Sequence, residues 1–249
     1  MNTKGQSDKF SPLFEQAQKN LSSQGFDFLQ SEKTLALFED RGFKNWESFA
    51  ESWNHLGIDR YMADGGRYRR RRYATFSVTP TDITRKPHQP HYQSRDYNML
   101  NGGVERWFRP ITDNIAHHPV MLSAIRTIGD MADVLTPEEQ KPLAWHAEVH
   151  QFRIEALPDA EGKPTPEGLH KDGVDWVLVL MVNRHNVEQG ITTIHDNQKE
   201  LLGSFTLAHP LDAALVNDHQ VYHGVTAVTP VDSTQPAFRD VLVVTLRHA

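Results

Sequence analysis

Residues 166–176 read Pro-Glu-Gly-Leu-His-Lys-Asp-Gly-Val-Asp-Trp, and they contain the clearest signal in the chain. His170 and Asp172 stand two positions apart where an apolar strand is predicted to begin. In an extended chain, residues i and i+2 point to the same side, so both side chains can reach one metal ion. His-x-Asp by itself also fits a surface turn with an incidental histidine, so the metal interpretation needs a third ligand.

His223 supplies that third ligand in the segment Tyr222-His-Gly-Val225, about three short strands beyond His170. The competing candidate is His219, but the surrounding Asn-Asp-His-Gln is typical of a turn. Two imidazoles and one carboxylate leave coordination positions open, which suits iron(II) and its oxygen chemistry. A structural metal site would fill every position with protein ligands. The pattern therefore predicts a metal centre formed by His170, Asp172 and His223.

Arg239 opens the last predicted strand of the chain. An arginine on a strand beside the metal strand can pair bidentately with a carboxylate deep in a barrel. Arg239 is therefore the predicted clamp for a dicarboxylate cosubstrate. A salt bridge at the strand edge, with Asp240 or Asp232, is the alternative interpretation. Arg247 is the weaker candidate for the same role because it lies near the end of the sequence.

The periodicity of apolar residues changes near residue 140, from helical to strand-like. Helices are predicted over residues 14–21, 32–38, 48–56 and 114–134. Short β-branched segments predict strands over residues 149–157, 174–182, 191–195, 214–217, 221–228 and 241–246. The intervals between strands are too short for parallel crossovers, so we expect a mainly β fold with α-helices. One domain over 1–249 is expected: a mostly helical cap and first strands over 1–140, and a jelly-roll, cupin-like core with the metal site over 141–249.

Composition narrows the class of protein further. The 249 residues include 14 histidines and no cysteine, which excludes disulfides, thiolate zinc sites and iron–sulfur clusters. No segment is apolar for the ~20 residues of a membrane-spanning helix, and the first residues do not resemble a secretory signal, so we expect a cytoplasmic protein without a membrane partner. A net charge of −6 argues against a nucleic-acid partner, although residues 67–72 contain five arginines. Oligomeric state is left open.

Residues 150–154 alternate in polarity, as a strand with two different faces does. Phe152 and Ile154 are expected to face the helices, which would turn Gln151 and Arg153 toward the barrel interior. A buried arginine needs an anion, so Gln151 and Arg153 are candidate ligands for a substrate carboxylate. An ion pair of Arg153 with a neighbouring glutamate, Glu148 or Glu155, explains the pattern equally well.

From about residue 67 to residue 247 the sequence resembles the 2-oxoglutarate/iron(II) dioxygenases of bacteria that hydroxylate free amino acids, such as L-isoleucine dioxygenase. The segments that carry the resemblance are 67–73, Gln93-Ser94, Tyr97-Asn98, His150-Gln-Phe-Arg153, 166–173, Val182-Asn-Arg184, Leu211-Asp212, Tyr222-His-Gly-Val225 and Arg239-Asp-Val-Leu242. Two positions depart from the pattern. Gln189-Gly190 stands where two glycines are expected, and His195 replaces an aromatic residue.

The resemblance implies a double-stranded β-helix with iron on His170, Asp172 and His223, and with 2-oxoglutarate on the metal and Arg239. It implies hydroxylation of a small-molecule substrate, a free L-amino acid, with dioxygen as cosubstrate and release of succinate and carbon dioxide. Related halogenases lack the carboxylate ligand, so the presence of Asp172 favours hydroxylation. Two other functions are compatible with the sequence: an oxygenase of nucleic acid or protein that uses the arginine run, and a non-enzymatic metal-binding cupin-like module.

Overall fold

The computed structural model of the protein describes residues 10–100, 102–158 and 160–248. Its helices are α1 (Pro12–Gln24), α2 (Ser31–Glu39), α3 (Trp46–Glu51), α4 (Asp113–Ala116) and α5 (Pro119–Leu135). Helix α1 begins at a strong signal, because the Ser11 hydroxyl accepts the Phe14 N–H and a proline follows at the first helical position. It ends at Gly25, whose φ of 79° is a left-handed conformation that favours glycine.

The strands are short in the first part of the chain and longer after residue 140. They are β1 (Phe26–Leu29), β2 (Gly57–Ile58), β3 (Arg69–Val78), β4 (Ile83–Arg85), β5 (Trp145–Ala156), β6 (Trp176–His185), β7 (Val187–Gln189), β8 (Ile191–His195), β9 (Leu201–Thr206), β10 (Ala213–Asn217), β11 (Tyr222–Val225), β12 (Val228–Pro230) and β13 (Ala237–His248).

Most of the strands form one large antiparallel sheet with the order β1-β10-β6-β13-β5-β3-β2, and β4 pairs with β3 at its edge. A second sheet has the order β11-β8-β9, and β12 pairs with β7. The inner face of the large sheet and the strands β8 and β11 line a common cavity. This arrangement confirms the predicted jelly-roll core.

The main hydrophobic core lies between the outer face of the large sheet and the helices. Val244 and Leu246 of β13 are fully buried against α5, whereas the alternate residues Val243 and Thr245 line the cavity. The period of two along an extended chain explains this division. Helix α5 is the central helix of this core, with Ile125 completely buried.

The predicted helices and strands are present, but some of them have other boundaries or are divided in two. The helix expected over 114–134 is divided into α4 and α5, because Pro119 has no N–H to continue the first helix. The strand expected over 221–228 is divided into β11 and β12. No bounds were predicted for the first strands, β1 to β4, and strands β7 and β9 were not predicted. Among the described residues, none of the helices combines the length and apolar character that a membrane crossing requires.

Candidate active site

His170, Asp172 and His223 come together on the wall of the cavity. One carboxylate oxygen of Asp172 lies 3.5 Å from Nε2 of His170, and the other lies 3.5 Å from Nε2 of His223. The potential ligand atoms of the three residues all lie within 4.8 Å of one another. The backbones of the two histidines also exchange N–H···O hydrogen bonds of 3.0 Å, which joins the two distant segments.

The route by which these ligands meet differs from the prediction. We expected His170 and Asp172 to lie on a strand, but β6 begins only at Trp176. Residues 171–175 form a loop held by Asp218, whose carboxylate accepts the backbone N–H groups of Asp172 (3.0 Å), Gly173 (2.8 Å) and Val174 (3.2 Å). The Asp218 side chain therefore positions Asp172, and it stands beside the rejected ligand candidate His219, which bonds Asp175 instead.

The electrostatics of the three donors favour a bound cation. Burial opposes the charged forms, but the hydrogen bond to Asp172 and its charge raise the pKa of His170 to about 9. Desolvation of its carboxylate opposes ionisation, yet the two imidazoles hold the pKa of the half-buried Asp172 well below the usual range of a carboxyl. An ionised carboxylate between two imidazoles thus attracts a positive charge, which protons supply when no metal is bound.

The donor set fits iron(II) in one further respect. Nδ1 of His170 lies 3.0 Å from the Gly168 carbonyl, and this contact directs Nε2 toward Asp172 and His223. The donors are two nitrogens and one carboxylate, and they border a cavity, so coordination positions remain for small ligands.

The cavity has a volume of about 480 Å³, which suits a small molecule. Arg239 of β13 lines it and is only 3% exposed. Burial, with Arg184 nearby, lowers the pKa of Arg239 to about 10, so the guanidinium stays charged at neutral pH. Its Nε has no hydrogen-bond partner among the described residues. A buried cation with an unused donor is a binding site for an anion.

The expectation that Gln151 and Arg153 face the barrel interior is wrong. In β5 it is Phe152 and Ile154 that line the cavity, and Gln151 instead donates to the Ser52 hydroxyl at 2.8 Å. Arg153 forms a bidentate pair with Asp240, with both N···O distances 2.7 Å. Both faces of β5 are covered, one by helices and one by the cavity, so polarity alone does not distinguish them.

The same strand presents polar residues that the sequence interpretation missed. His146, Glu148 and His150 alternate along β5 and line the cavity, next to His91 from the loop after β4. Their i, i+2, i+4 spacing is a signal that could have identified them. Arg247 also lines the cavity, whereas the two positions that depart from the family pattern, Gln189 and His195, do not border it. Trp176 belongs to the hydrophobic core.

The family model for 2OG-Fe dioxygenases matches residues 50–245. L-isoleucine-4-hydroxylase of Bacillus thuringiensis is 28% identical over an alignment of 234 residues, and the alignment covers 87% of this chain and 95% of that protein. 3(1)-hydroxy-L-isoleucine 4-dioxygenase of Pantoea ananatis is 24% identical over 92% of this chain and 94% of that protein.

Solved structures extend the likeness to the fold. A crystal structure of a bsmA homolog from Methylobium petroleophilum PM1 has a TM-score of 0.85 at 34% identity, covering 95% of this chain and 93% of that one. The structure of IDO from Bacillus thuringiensis has a TM-score of 0.76 at 22% identity, covering 95% and 99% of the two chains. The chain therefore belongs to the 2-oxoglutarate/iron(II) dioxygenases, enzymes that use iron(II), 2-oxoglutarate and dioxygen.

Proposed function

We propose that the protein hydroxylates a C–H bond of a free L-amino acid, with iron(II) on His170, Asp172 and His223 and with the far carboxylate of 2-oxoglutarate on Arg239. The observation that carries the proposal is that the three metal donors and the buried Arg239 line one cavity. Two relatives that match most of the chain are named for reactions of isoleucine or hydroxy-isoleucine, which supports an amino-acid substrate.

Bound iron(II) and 2-oxoglutarate supply the oxidising chemistry, with succinate and carbon dioxide as by-products. The protein's own residues position the reactants and exclude water. Asp172 stays ionised for the metal, and its presence supports hydroxylation. Arg239 offers its free Nε–H to an anion in a buried setting. The apolar wall formed by Val177, Val179 and Val216 shields the reacting C–H bond from bulk solvent.

The geometry of the arginine run argues against a nucleic-acid substrate. Arg69 and Arg71 of β3 line the cavity and are buried. Arg70 and Arg72 point to the opposite face, where Arg70 pairs with Glu155 and Arg72 donates to backbone carbonyls. The run therefore does not form the continuous exposed basic stripe that a polyanion requires.

Anaerobic reconstitution with iron(II) and 2-oxoglutarate, followed by exposure to air with each common L-amino acid, tests the proposal. We expect at least one amino acid to yield succinate together with a product heavier by one oxygen atom, detected by mass spectrometry. If no amino acid stimulates succinate formation, the proposed substrate class is wrong.

His170→Ala and Asp172→Ala test the metal assignment in the same assay. We expect either variant to abolish turnover, because two remaining donors cannot hold iron(II) in place. The circular dichroism spectrum should stay unchanged, since neither side chain belongs to the hydrophobic core. Succinate production at the wild-type level by either variant would reject the ligand assignment.

A further inference from the structure

Three buried arginines line the cavity on the side of β3. Arg69 and Arg71 come from β3, and Arg106 comes from the loop before α4. Their exposed fractions are 6%, 4% and 3%. Each keeps one N–H without a hydrogen-bond partner among the described residues: Nη2 of Arg69, Nε of Arg71 and Nε of Arg106.

The charge of these arginines is incompletely neutralised. Asp59 is 2.8 Å from Nε of Arg69 and 3.5 Å from Nη1 of Arg71, and it is the one carboxylate paired with them in the described part of the chain. The remaining hydrogen bonds go to uncharged groups: Arg71 donates to Nδ1 of His150 at 2.6 Å, and Arg106 donates to Nδ1 of His91 at 2.9 Å and to Oε1 of Gln93 at 3.5 Å. Neutral imidazoles do not compensate the charge, so an anionic ligand would stabilise the group.

Aromatic contacts hold the guanidinium of Arg71 in place before an anion binds. The central carbon of Arg71 lies 3.5 Å from the ring centroid of Phe108 and 4.5 Å from that of Phe152. Such cation–π contacts restrain the side chain, so little conformational entropy remains to be lost when an anion binds.

A matching acceptor lies beside the metal donors. Oε1 of Glu167 is 3.6 Å from Nε2 of His170, while Oε2 is buried and has no partner among the described residues. Glu148 differs, because Nε2 of His91 and Nε2 of His146 lie 3.3 Å and 3.4 Å from its two oxygens. Glu167 is therefore the carboxylate with a free position for a cationic group.

A second metal ion is a poorer occupant of this region. Donor atoms of His91, Glu148 and His150 lie within 4.8 Å of one another. However, Arg71 and Arg106 each donate to one of these histidines, and two guanidiniums this close repel a divalent cation.

The cluster is also separate from the site for 2-oxoglutarate. Strand β5 lies between β3 and β13, with Ile154 opposite both Arg69 and Arg239. Two strand spacings put these two arginine backbones about 10 Å apart. The cavity can therefore bind two different anions at once, one on each side of β5.

We propose that Arg69, Arg71 and Arg106 bind the α-carboxylate of the substrate and that Glu167 binds its α-ammonium group. The inference rests on the proposed function and deepens it, because it names the residues that select a zwitterion. The substrate is held by its headgroup, and its side chain is left to reach the metal centre.

Calorimetry under anaerobic conditions, with iron(II) and 2-oxoglutarate present, tests the assignment without turnover. The probes are L-isoleucine, L-isoleucinamide, which lacks the carboxylate, and 3-methylpentanoate, which lacks the ammonium group. We expect the wild-type protein to prefer L-isoleucine over each analogue by about tenfold to hundredfold, the range for hydrogen bonds to charged groups. Arg106→Gln should lose most of the preference over the amide, and Glu167→Gln most of the preference over the deaminated acid.

Arg70→Gln is the matched control, since Arg70 stands between two of the arginines but points to the other face. It should keep both wild-type affinity ratios. Arg106→Lys, which retains the charge, is measured in parallel in case Arg106→Gln does not fold, and it should show a partial loss. Wild-type ratios in the Arg106 and Glu167 variants, or a wild-type protein that does not distinguish the three probes, would overturn the inference. The succinate assay on all amino acids judges the proposed function separately.

Discussion

At the scale of single residues, burial and charge oppose each other in the cavity, and different neighbours decide the result. Burial and the nearby arginines lower the pKa of His91 to about 3, whereas Asp172 raises the pKa of His170 to about 9. A histidine is thus kept neutral beside the arginines, as His91 is, whereas beside Asp172 a histidine, His170, tends to bind a cation.

Arg239→Ala should raise the concentration of 2-oxoglutarate needed for half-maximal rate by about tenfold to hundredfold, because a buried charged hydrogen bond is lost. Steady-state succinate formation at varied 2-oxoglutarate measures the effect. Arg247→Ala is the control, because Arg247 lines the cavity at the far end of β13 and should leave this requirement unchanged. The reverse result would transfer the role to Arg247.

His91→Gln should make the stability less sensitive to acid. The folded pKa of His91 lies below the value near 6.5 of an unfolded histidine, so below that pH the unfolded chain binds a proton that the folded chain does not. The contribution of neutral His91 to the free energy of unfolding is complete above pH 6.5, and it is lost as the pH falls toward 3. When the pH falls from about 7 to about 5, the free energy of unfolding of the wild type should decrease by about 2 kcal/mol more than that of the variant. Urea unfolding at the two pH values, with a chelator present, measures the free energy of unfolding of the wild type and of the variant. Equal losses in the two proteins would contradict the lowered pKa of His91.

At the scale of elements, the metal centre depends on a loop supported from another segment. Residues 171–175 are irregular, and the Asp218 carboxylate gathers three of their backbone N–H groups. Strand β5 shows the same dependence on context, because one face contacts helices and the other lines the cavity.

Asp218→Ala should weaken metal binding by about tenfold to hundredfold, the usual effect of removing a group that orients a ligand. Titration with cobalt(II), followed by absorbance, measures this. Asp196→Ala is a matched control, since Asp196 likewise accepts two backbone N–H groups, but these belong to Gln198 and Glu200 in an exposed turn and not to the loop of residues 171–175. Equal affinities in the two variants would show that the loop does not need Asp218.

At the scale of the whole molecule, the large sheet separates the main hydrophobic core from the cavity that contains the charged side chains. Helix α5 covers its outer face, and its fully buried residues exclude water from that side. The stability of the fold therefore comes mainly from the helix side, and the inner face is free to carry charged residues.

Ile125→Ala should lower the free energy of unfolding by about 2–5 kcal/mol, because it opens a void in a fully buried site. Val134→Ala on the same helix, where Val134 is 38% exposed, should cost less than about 1 kcal/mol. Urea unfolding compares the two variants. Similar losses would mean that α5 does not form the centre of the core.

Local patterns were sufficient for most of the helices and for the strands after residue 140 other than β7 and β9, and they were sufficient to select His170, Asp172 and His223 as candidate metal ligands. Helices and strands follow from periods of 3.6 and 2 along the chain, and these are properties of neighbouring residues. His170, Asp172 and His223 were named because their residue types and spacing suit one ion, and the structure brings them together.

The tertiary structure alone decided which face of β5 meets the cavity and which arginines share it. Both faces of that strand are buried, so alternation predicts two faces without saying which is which, and Gln151 and Arg153 were assigned to the wrong one. The convergence of Arg71, Arg106 and Glu167 was beyond prediction for a related reason. These residues are far apart in the chain, and their proximity depends on strand order and loop paths that no local pattern encodes.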